Sequence, residues 1–204
     1  PKVQGDLERV KEAVALMANA RRPVIYSGGG VINSGPEASH LLHELVEEVV
    51  AIQQPEAESK NIVLHAIAPD APLMIEADPQ RIMQVITNLV INAINYTPEG
   101  GNVTIELEPI DPSDETPQGQ VAIRVRDTGI GIPPEMLTQV FEPFFRTNEE
   151  VATGTGLGLT IAREIVNLHH GTISVDSASG EGAVFTVTLD LIGAQEQSES
   201  TMYE

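Results

Sequence analysis

Two glycine-rich segments constrain the fold of this chain more than any other feature. The first is Arg126–Pro133 (RDTGIGIP), and the second is Gly154–Leu159 (GTGLGL). The first segment follows Val121–Val125, whose apolar residues alternate as in a strand, so Asp127 is expected at a strand end. The second directly precedes an amphipathic helix predicted for residues 158–170. Glycine-rich turns at the end of a strand or at the start of a helix are typical of α/β proteins.

The residue types in these turns suit a nucleotide. A carboxylate at Asp127 can accept a hydrogen bond from a purine amino group, and Gly129 and Gly131 leave the backbone room to approach the ring. Free N–H groups at a helix start, with the helix dipole behind them, bind anions. The candidate phosphate-binding residues are Gly154, Thr155, Gly156, Leu157 and Gly158. No Gly-x-x-x-x-Gly-Lys segment occurs, which excludes a P-loop protein.

A helix upstream carries amides in series. Asp78-Pro79 predicts its N-terminus, and an apolar stripe from Ile82 to Ala93 predicts its buried face. Asn88 and Asn92 are four residues apart, so both side chains project from one polar face. Solvated helix faces usually carry Lys and Glu, so this series indicates a binding surface.

The asparagine helix, the Asp127 turn and the second glycine loop, in this order, resemble the ATP-binding catalytic domain of sensor histidine kinases, in the Bergerat-fold ATPase group. The resemblance covers residues 44–191. It implies an α/β sandwich in which one mixed sheet is covered on one face by helices, with ATP and Mg²⁺ as ligands. It also implies that Asn92 coordinates Mg²⁺, that Asn88 supports the phosphates, and that the Tyr96 ring flanks the adenine.

Two further parts of the site come from the same resemblance. The segment Phe141–Arg146 (FEPFFR) resembles the family's F-box, which hinges a lid over ATP, so Phe141 is counted among the ATP-binding residues. Arg146 is the expected cation for the γ-phosphate. The family commonly has a lysine where this chain has Asn95. Asn95 is still expected to contact ATP, but the site then has one phosphate-facing cation fewer and a weaker affinity for the nucleotide is expected.

The chain is expected to have three parts. Residues 1–40 form an α-β-α appendage, residues 41–192 the kinase-like domain, and residues 193–204 a disordered tail. Residues 6–46 resemble the start of the central domain of acetolactate-synthase-type thiamine diphosphate enzymes, which favours a spliced or engineered junction near residues 40–50; a chance α/β-like linker is the alternative. A helix over residues 36–53 is predicted to end at Pro55.

Charge and composition limit the partners. The formal net charge is −19, which excludes nucleic acid and anionic lipid as non-specific partners. No apolar run approaches the roughly 20 residues of a membrane span, so no membrane contact is expected. The chain contains no cysteine, which rules out disulfides and thiolate chemistry. We expect a cytoplasmic location, as the cytoplasmic portion of a sensor that can itself be membrane-bound.

The resemblance implies transfer of the γ-phosphoryl group to a histidine on a dimerisation domain, and a response regulator as the later partner. His43-Glu44-Leu45 lacks the basic residue, Thr and Pro of a phosphoacceptor box, so the acceptor domain is expected to be absent and autophosphorylation is not expected. Two alternatives stay open. One is a related ATPase of the gyrase, heat-shock or mismatch-repair type, which would carry glutamate at position 88. The other is a non-catalytic or engineered, chimeric nucleotide-binding module.

Overall fold

The computed structural model describes residues 39–146 and 155–192. Their main elements are one five-stranded sheet, a separate pair of short strands and three α-helices. In chain order these are β1 (Ser39–Leu41), α1 (Leu42–Ser59), β2 (Val63–Ile67), β3 (Met74–Glu76), α2 (Pro79–Tyr96), β4 (Asn102–Ile110), β5 (Gln120–Asp127), α3 (Gly158–Leu168), β6 (Thr172–Ser177) and β7 (Ala183–Asp190).

The large sheet is mixed and has the order β2-β4-β5-β7-β6. Strand β2 pairs with β4 in parallel, and all the other neighbours are antiparallel. The parallel pair requires a crossover, which β3 and α2 supply. β1 pairs with β3 to form the separate two-stranded sheet.

One face of the large sheet forms the core, because side chains alternate between the two faces of each strand. Ile105, Val125 and Phe185 stand opposite one another on β4, β5 and β7, and all three are buried. Their neighbours Thr104, Arg124 and Thr186 face the other way and are only partly buried. The predicted α/β sandwich with a mixed sheet covered on one face is therefore confirmed. Residues 1–38 of the predicted N-terminal appendage and the predicted tail, residues 193–204, lie outside the described residues.

Helix α1 differs from the prediction at both ends. It begins at Leu42, after β1, and it continues through Pro55 to Ser59. The proline removes one backbone N–H, but Ala57 beyond it is fully buried and continues the apolar face of Leu42, Leu45 and Val49. Burial of this last turn against the core offsets the missing hydrogen bond, so the predicted end at Pro55 was wrong.

Helix α2 begins as its sequence predicts. The Asp78 carboxylate accepts hydrogen bonds from the backbone N–H groups of Gln80 and Arg81, and Pro79 occupies the first turn. The ring of His169 connects this end to helix α3: Nε2 accepts from the Asp78 N–H at 3.1 Å, and Nδ1 donates to the Ile165 carbonyl at 2.8 Å. These two contacts require the neutral ring with its proton on Nδ1.

Helix α3 begins at the predicted residue and ends two residues before the predicted end. Ala162, Ile165 and Val166 are the buried residues of α3. Among the described residues, no helix is long and apolar enough to cross a bilayer.

Candidate nucleotide site

Helix α2 turns its polar face toward a cavity of about 210 Å³. Asn88, Asn92, Asn95 and Tyr96 all line this cavity, whereas Val85, Leu89 and Ala93 on the opposite face of α2 are buried in the core. The 3.6-residue repeat of the helix therefore separates the packing role of α2 from its binding surface. The cavity is completed by the Asp127 turn, the start of α3 and the end of the Phe141–Arg146 segment.

Asp127 is the buried carboxylate of this cavity, with 6% of its surface exposed. Its Oδ1 accepts hydrogen bonds from the backbone N–H of Gly129 at 2.8 Å and of Ala183 at 3.2 Å. Both contacts involve the same oxygen. Because no side-chain polar atom of the described residues is both fully buried and unpartnered, solvent or a ligand reaches the other oxygen, Oδ2.

Burial raises the pKa of the Asp127 carboxyl above its ordinary value, and the hydrogen bonds from Gly129 and Ala183 oppose that shift in part. The carboxylate is thus an acceptor of fixed position in a largely desolvated environment. An amino group that donates to Oδ2 would replace the water that the carboxylate loses on burial.

The turn after Asp127 is held from three sides. The Ile130 N–H donates to the Tyr96 carbonyl, the Gly180 N–H donates to the Ile130 carbonyl, and the Ile132 N–H donates to the Ser177 hydroxyl. Gly131 has a φ of +68°, and a Cβ there would collide with the Ala178 carbonyl oxygen. Gly131 lines the cavity. Gly129 does not line it but lies behind Asp127, where a Cβ would collide with the Tyr96 carbonyl oxygen.

The start of α3 forms another part of the cavity wall. Thr155, Gly156 and Gly158 line it, Leu157 does not, and Gly154 lies outside the described residues. No side chain caps the N-terminus of α3, so its first N–H groups are not satisfied by a capping side chain.

Asn88 ties the two helices together, since its amide Nδ2 donates to the Gly158 carbonyl at 3.1 Å. That contact leaves the Oδ1 of Asn88 as the atom for other partners. The Asn92 carboxamide makes no hydrogen bond within the described residues. Uncapped N–H groups and amide oxygens therefore meet on one part of the cavity wall.

Phe141 does not reach the cavity wall, contrary to its predicted grouping with the ligand-binding residues. It is 9% exposed and packs edge-on against Phe185, with ring centroids 6.3 Å apart, and the Arg163 guanidinium lies 5.8 Å from its ring centroid. The ring thus anchors its segment to the core. Arg146, at the end of the segment, lines the cavity, and its surface is exposed.

The cavity also has an apolar lining that was not among the predicted site residues: Ile91, Ile132, Val140, Phe145, Leu159, Ala183 and Phe185. Phe145 could have been found, because it belongs to the same phenylalanine-rich segment as Phe141. Ile132 and Leu159 could also have been found, because they belong to the two glycine-rich segments. The others alternate or recur like core residues, and no sequence signal separates them from the core.

Carboxylate clusters offer no metal site here. The described residues contain no group of three or more His, Asp or Glu side chains that could hold a metal ion. Any cation in this cavity would rely on the amide oxygens of Asn88 and Asn92 together with oxygens of a ligand, a donor set that suits Mg²⁺.

Comparison with known proteins identifies close similarities. Residues 77–193 match the family described as histidine kinase-, DNA gyrase B-, and HSP90-like ATPase. The sensor histidine kinase ZraS of Salmonella typhi is 37% identical over 155 residues, which are 76% of this chain and 31% of ZraS. The sensor histidine kinase RcsC of Escherichia coli K12 is 40% identical over 156 residues, or 74% of this chain and 16% of RcsC.

A solved structure extends this similarity to the fold. The catalytic domain of the histidine kinase ThkA is 35% identical, with a TM-score of 0.63 over 74% of this chain and 93% of that domain. The chain thus spans less than a third of the length of ZraS and RcsC but matches nearly all of an isolated catalytic domain.

Proposed function

Because this chain belongs to the histidine kinase-, DNA gyrase B-, and HSP90-like ATPase family, we propose that its cavity binds Mg²⁺-ATP for phosphoryl transfer to a protein histidine. The observation that carries this proposal is the pairing in one cavity of a buried, half-satisfied carboxylate with an uncapped helix start. The first fits the amino edge of adenine, and the second fits phosphate.

The adenine lies, in this proposal, between Tyr96 and the apolar lining, with its amino group donating to Oδ2 of Asp127. The backbone N–H groups from Thr155 to Gly158 donate to the phosphate oxygens, and Arg146 faces the γ-phosphate. When bound, Mg²⁺ would neutralise part of the triphosphate charge, and Asn92 with Asn88 would hold it. The amide donor set fits this ion, because the Asn92 carboxamide has no competing hydrogen bond within the described residues.

The reaction requires little chemistry from the side chains. A neutral imidazole nitrogen of the acceptor attacks the γ-phosphorus, the bond from that phosphorus to the β,γ-bridging oxygen breaks, and ADP leaves with the electron pair. The other ring nitrogen of the imidazole, which carries the proton, then loses it to solvent. The chain's own residues orient the triphosphate and stabilise its charge. The acceptor histidine on a dimerisation domain, the response regulator and the cytoplasmic location are parts of this proposal.

Position 88 argues against an ATPase of the gyrase or heat-shock type. Those relatives, by the resemblance stated above, use a glutamate there as a general base for water. The Asn88 amide cannot take a proton at neutral pH, and its Nδ2 is engaged by the Gly158 carbonyl. The acetolactate-synthase resemblance of residues 6–46 receives no support from the comparisons, and an origin by fusion stays a prediction.

We expect the chain to bind Mg²⁺-ATP, to release almost no phosphate, and to remain unlabelled by γ-labelled ATP. Label should instead appear on a purified phosphoacceptor-histidine domain of a sensor kinase added in trans, in acid-labile form. The same domain with its acceptor histidine changed to alanine is the control. Phosphate release in place of transfer, or stoichiometric label on His43 of the chain, would contradict the proposal.

A further inference from the structure

The cavity wall has a cation behind it that no motif indicated. Lys60, the residue that follows α1, donates from Nζ to the Asn95 Oδ1 at 3.0 Å, although the two residues are 35 positions apart. Asn95 lines the cavity, whereas Lys60 does not. Lys60 is the only lysine of the described residues. An ammonium group therefore lies one hydrogen bond behind the cavity wall.

This contact fixes the orientation of the Asn95 carboxamide. A lysine ammonium can only donate, so the atom that faces it must be the amide oxygen. The amide nitrogen Nδ2, a donor, is then the atom left for another partner, and it makes no hydrogen bond within the described residues. Without Lys60 the carboxamide could turn over and present an acceptor, which would repel an anion.

The contact with Asn95 does not use all the N–H groups of the Lys60 ammonium. Of its three N–H groups, one faces Asn95 and another faces Glu56 Oε1, at 3.1 Å. The side chain of Lys60 is 37% exposed and that of Glu56 is 58% exposed, so this ion pair is weak and screened. The charged residues that line the cavity itself are Asp127 and Arg146. A triphosphate brings several negative charges, so another cation near the wall matters.

We propose that Lys60 is a positioning residue of the nucleotide site: it holds Asn95 so that Nδ2 donates to an anionic oxygen of the nucleotide, and it places a positive charge behind that contact. This inference rests on the proposed function, since it concerns the same cavity. It also revises the expectation from the sequence that Asn95 leaves the site one cation short, because a lysine from a different element supplies the charge.

The experiment measures the affinity of the full chain for Mg²⁺-ATP and for adenosine by calorimetry. Lys60→Met should weaken the affinity for Mg²⁺-ATP about threefold to tenfold, as expected for a partly exposed charge that also orients a donor. The same substitution should change the affinity for adenosine by less than about twofold, because adenosine carries no charge. Lys60→Arg, which retains charge and donors, should restore most of the affinity for Mg²⁺-ATP.

Arg124→Met is the matched control. Arg124 pairs with Glu108 on the open face of the sheet and outside the cavity, so its replacement lowers the net charge equally without touching the site. It should leave both affinities unchanged. Thermal unfolding of each variant shows that the fold is kept.

Three results would overturn the inference: an unchanged affinity of Lys60→Met for Mg²⁺-ATP, an equal loss for ATP and adenosine, or an equal loss in Arg124→Met. The first result would mean that Lys60 has no role in binding. The second would mean that its role is structural, and the third would mean that the loss reflects net charge alone. Failure of the unchanged chain to bind Mg²⁺-ATP would instead remove the proposed function itself, and with it this inference.

Discussion

Asp127→Asn is expected to lower the affinity for Mg²⁺-ATP by about 10-fold to 150-fold, the equivalent of one hydrogen bond to a charged group. The asparagine Oδ1 can still accept from the N–H groups of Gly129 and Ala183, so the turn keeps its support. The atom then facing the purine is Nδ2, a donor, which meets the donating amino group of adenine. Calorimetric titration of both proteins with Mg²⁺-ATP measures the loss.

The same change should not destabilise the fold. The pKa of Asp127 is raised in the folded chain, mainly by burial, so the folded state takes up a proton at a higher pH than the unfolded state does. Between the two pKa values the folded state binds more protons, and stability contributed by this group rises as pH falls. At neutral pH the buried charge therefore costs stability, and its removal should leave the melting temperature equal or higher.

The affinity and the melting temperature of Asp127→Asn together show whether Asp127 contacts the ligand or supports the turn. A lower melting temperature together with weaker binding would mean that Asp127 holds the turn rather than the ligand.

Ionised Asp127 is needed as an acceptor, so the affinity of the unchanged chain for Mg²⁺-ATP should fall on acidification through the raised pKa. The Asp127→Asn protein should lack that dependence.

Gly131→Ala is expected to reduce the free energy of unfolding by about 3–5 kcal/mol, the range in which backbone strain and overpacking combine. Two causes add at this position. The φ of +68° costs about 1–2 kcal/mol for any L-residue with a Cβ. The new methyl group would also collide with the Ala178 carbonyl oxygen, which is backbone and cannot turn away without moving the β6–β7 connection. Denaturant unfolding measures the loss.

Gly180→Ala separates these causes, because Gly180 also has a positive φ, +84°, but no atom lies within 4 Å of its added Cβ. This control should lose only about 1–2 kcal/mol. Gly131 is bonded to Ile130, whose N–H and carbonyl pair with Tyr96 and Gly180, so the alanine variant should also weaken Mg²⁺-ATP binding. Equal stability of the two variants would contradict the proposed close contact at Gly131.

The sequence identified the parts of the site whose residue types are unusual for their element. Asparagines in series on α2 and a glycine pair after Asp127 are rare in packing roles, so pattern reasoning found them, and the structure brings Asn88, Asn92, Asp127 and Gly131 to one cavity. Phe141 was predicted to bind ATP because its segment resembles the family's F-box. Its burial against Phe185 depends on tertiary packing that no local pattern encodes.

The parts that sequence reasoning missed depend on contacts between distant elements. Pro55 was expected to end α1, but burial of Ala57 maintains the helix beyond it. No local pattern indicates Lys60, because its contact with Asn95 joins residues 35 positions apart. The fold class followed from the order of strands and helices, whereas these details follow from side-chain packing.

The most direct measurement of the central claim compares the affinities of the unchanged chain for ATP and for inosine triphosphate, both with Mg²⁺. The two ligands share ribose and triphosphate, but the purine of the second presents a carbonyl oxygen where adenine has its amino group. If Oδ2 of Asp127 accepts from that amino group, ATP should bind at least about 10-fold more tightly, and Asp127→Asn should shift the preference toward inosine triphosphate. Equal affinity of the unchanged chain for both would contradict the proposed site.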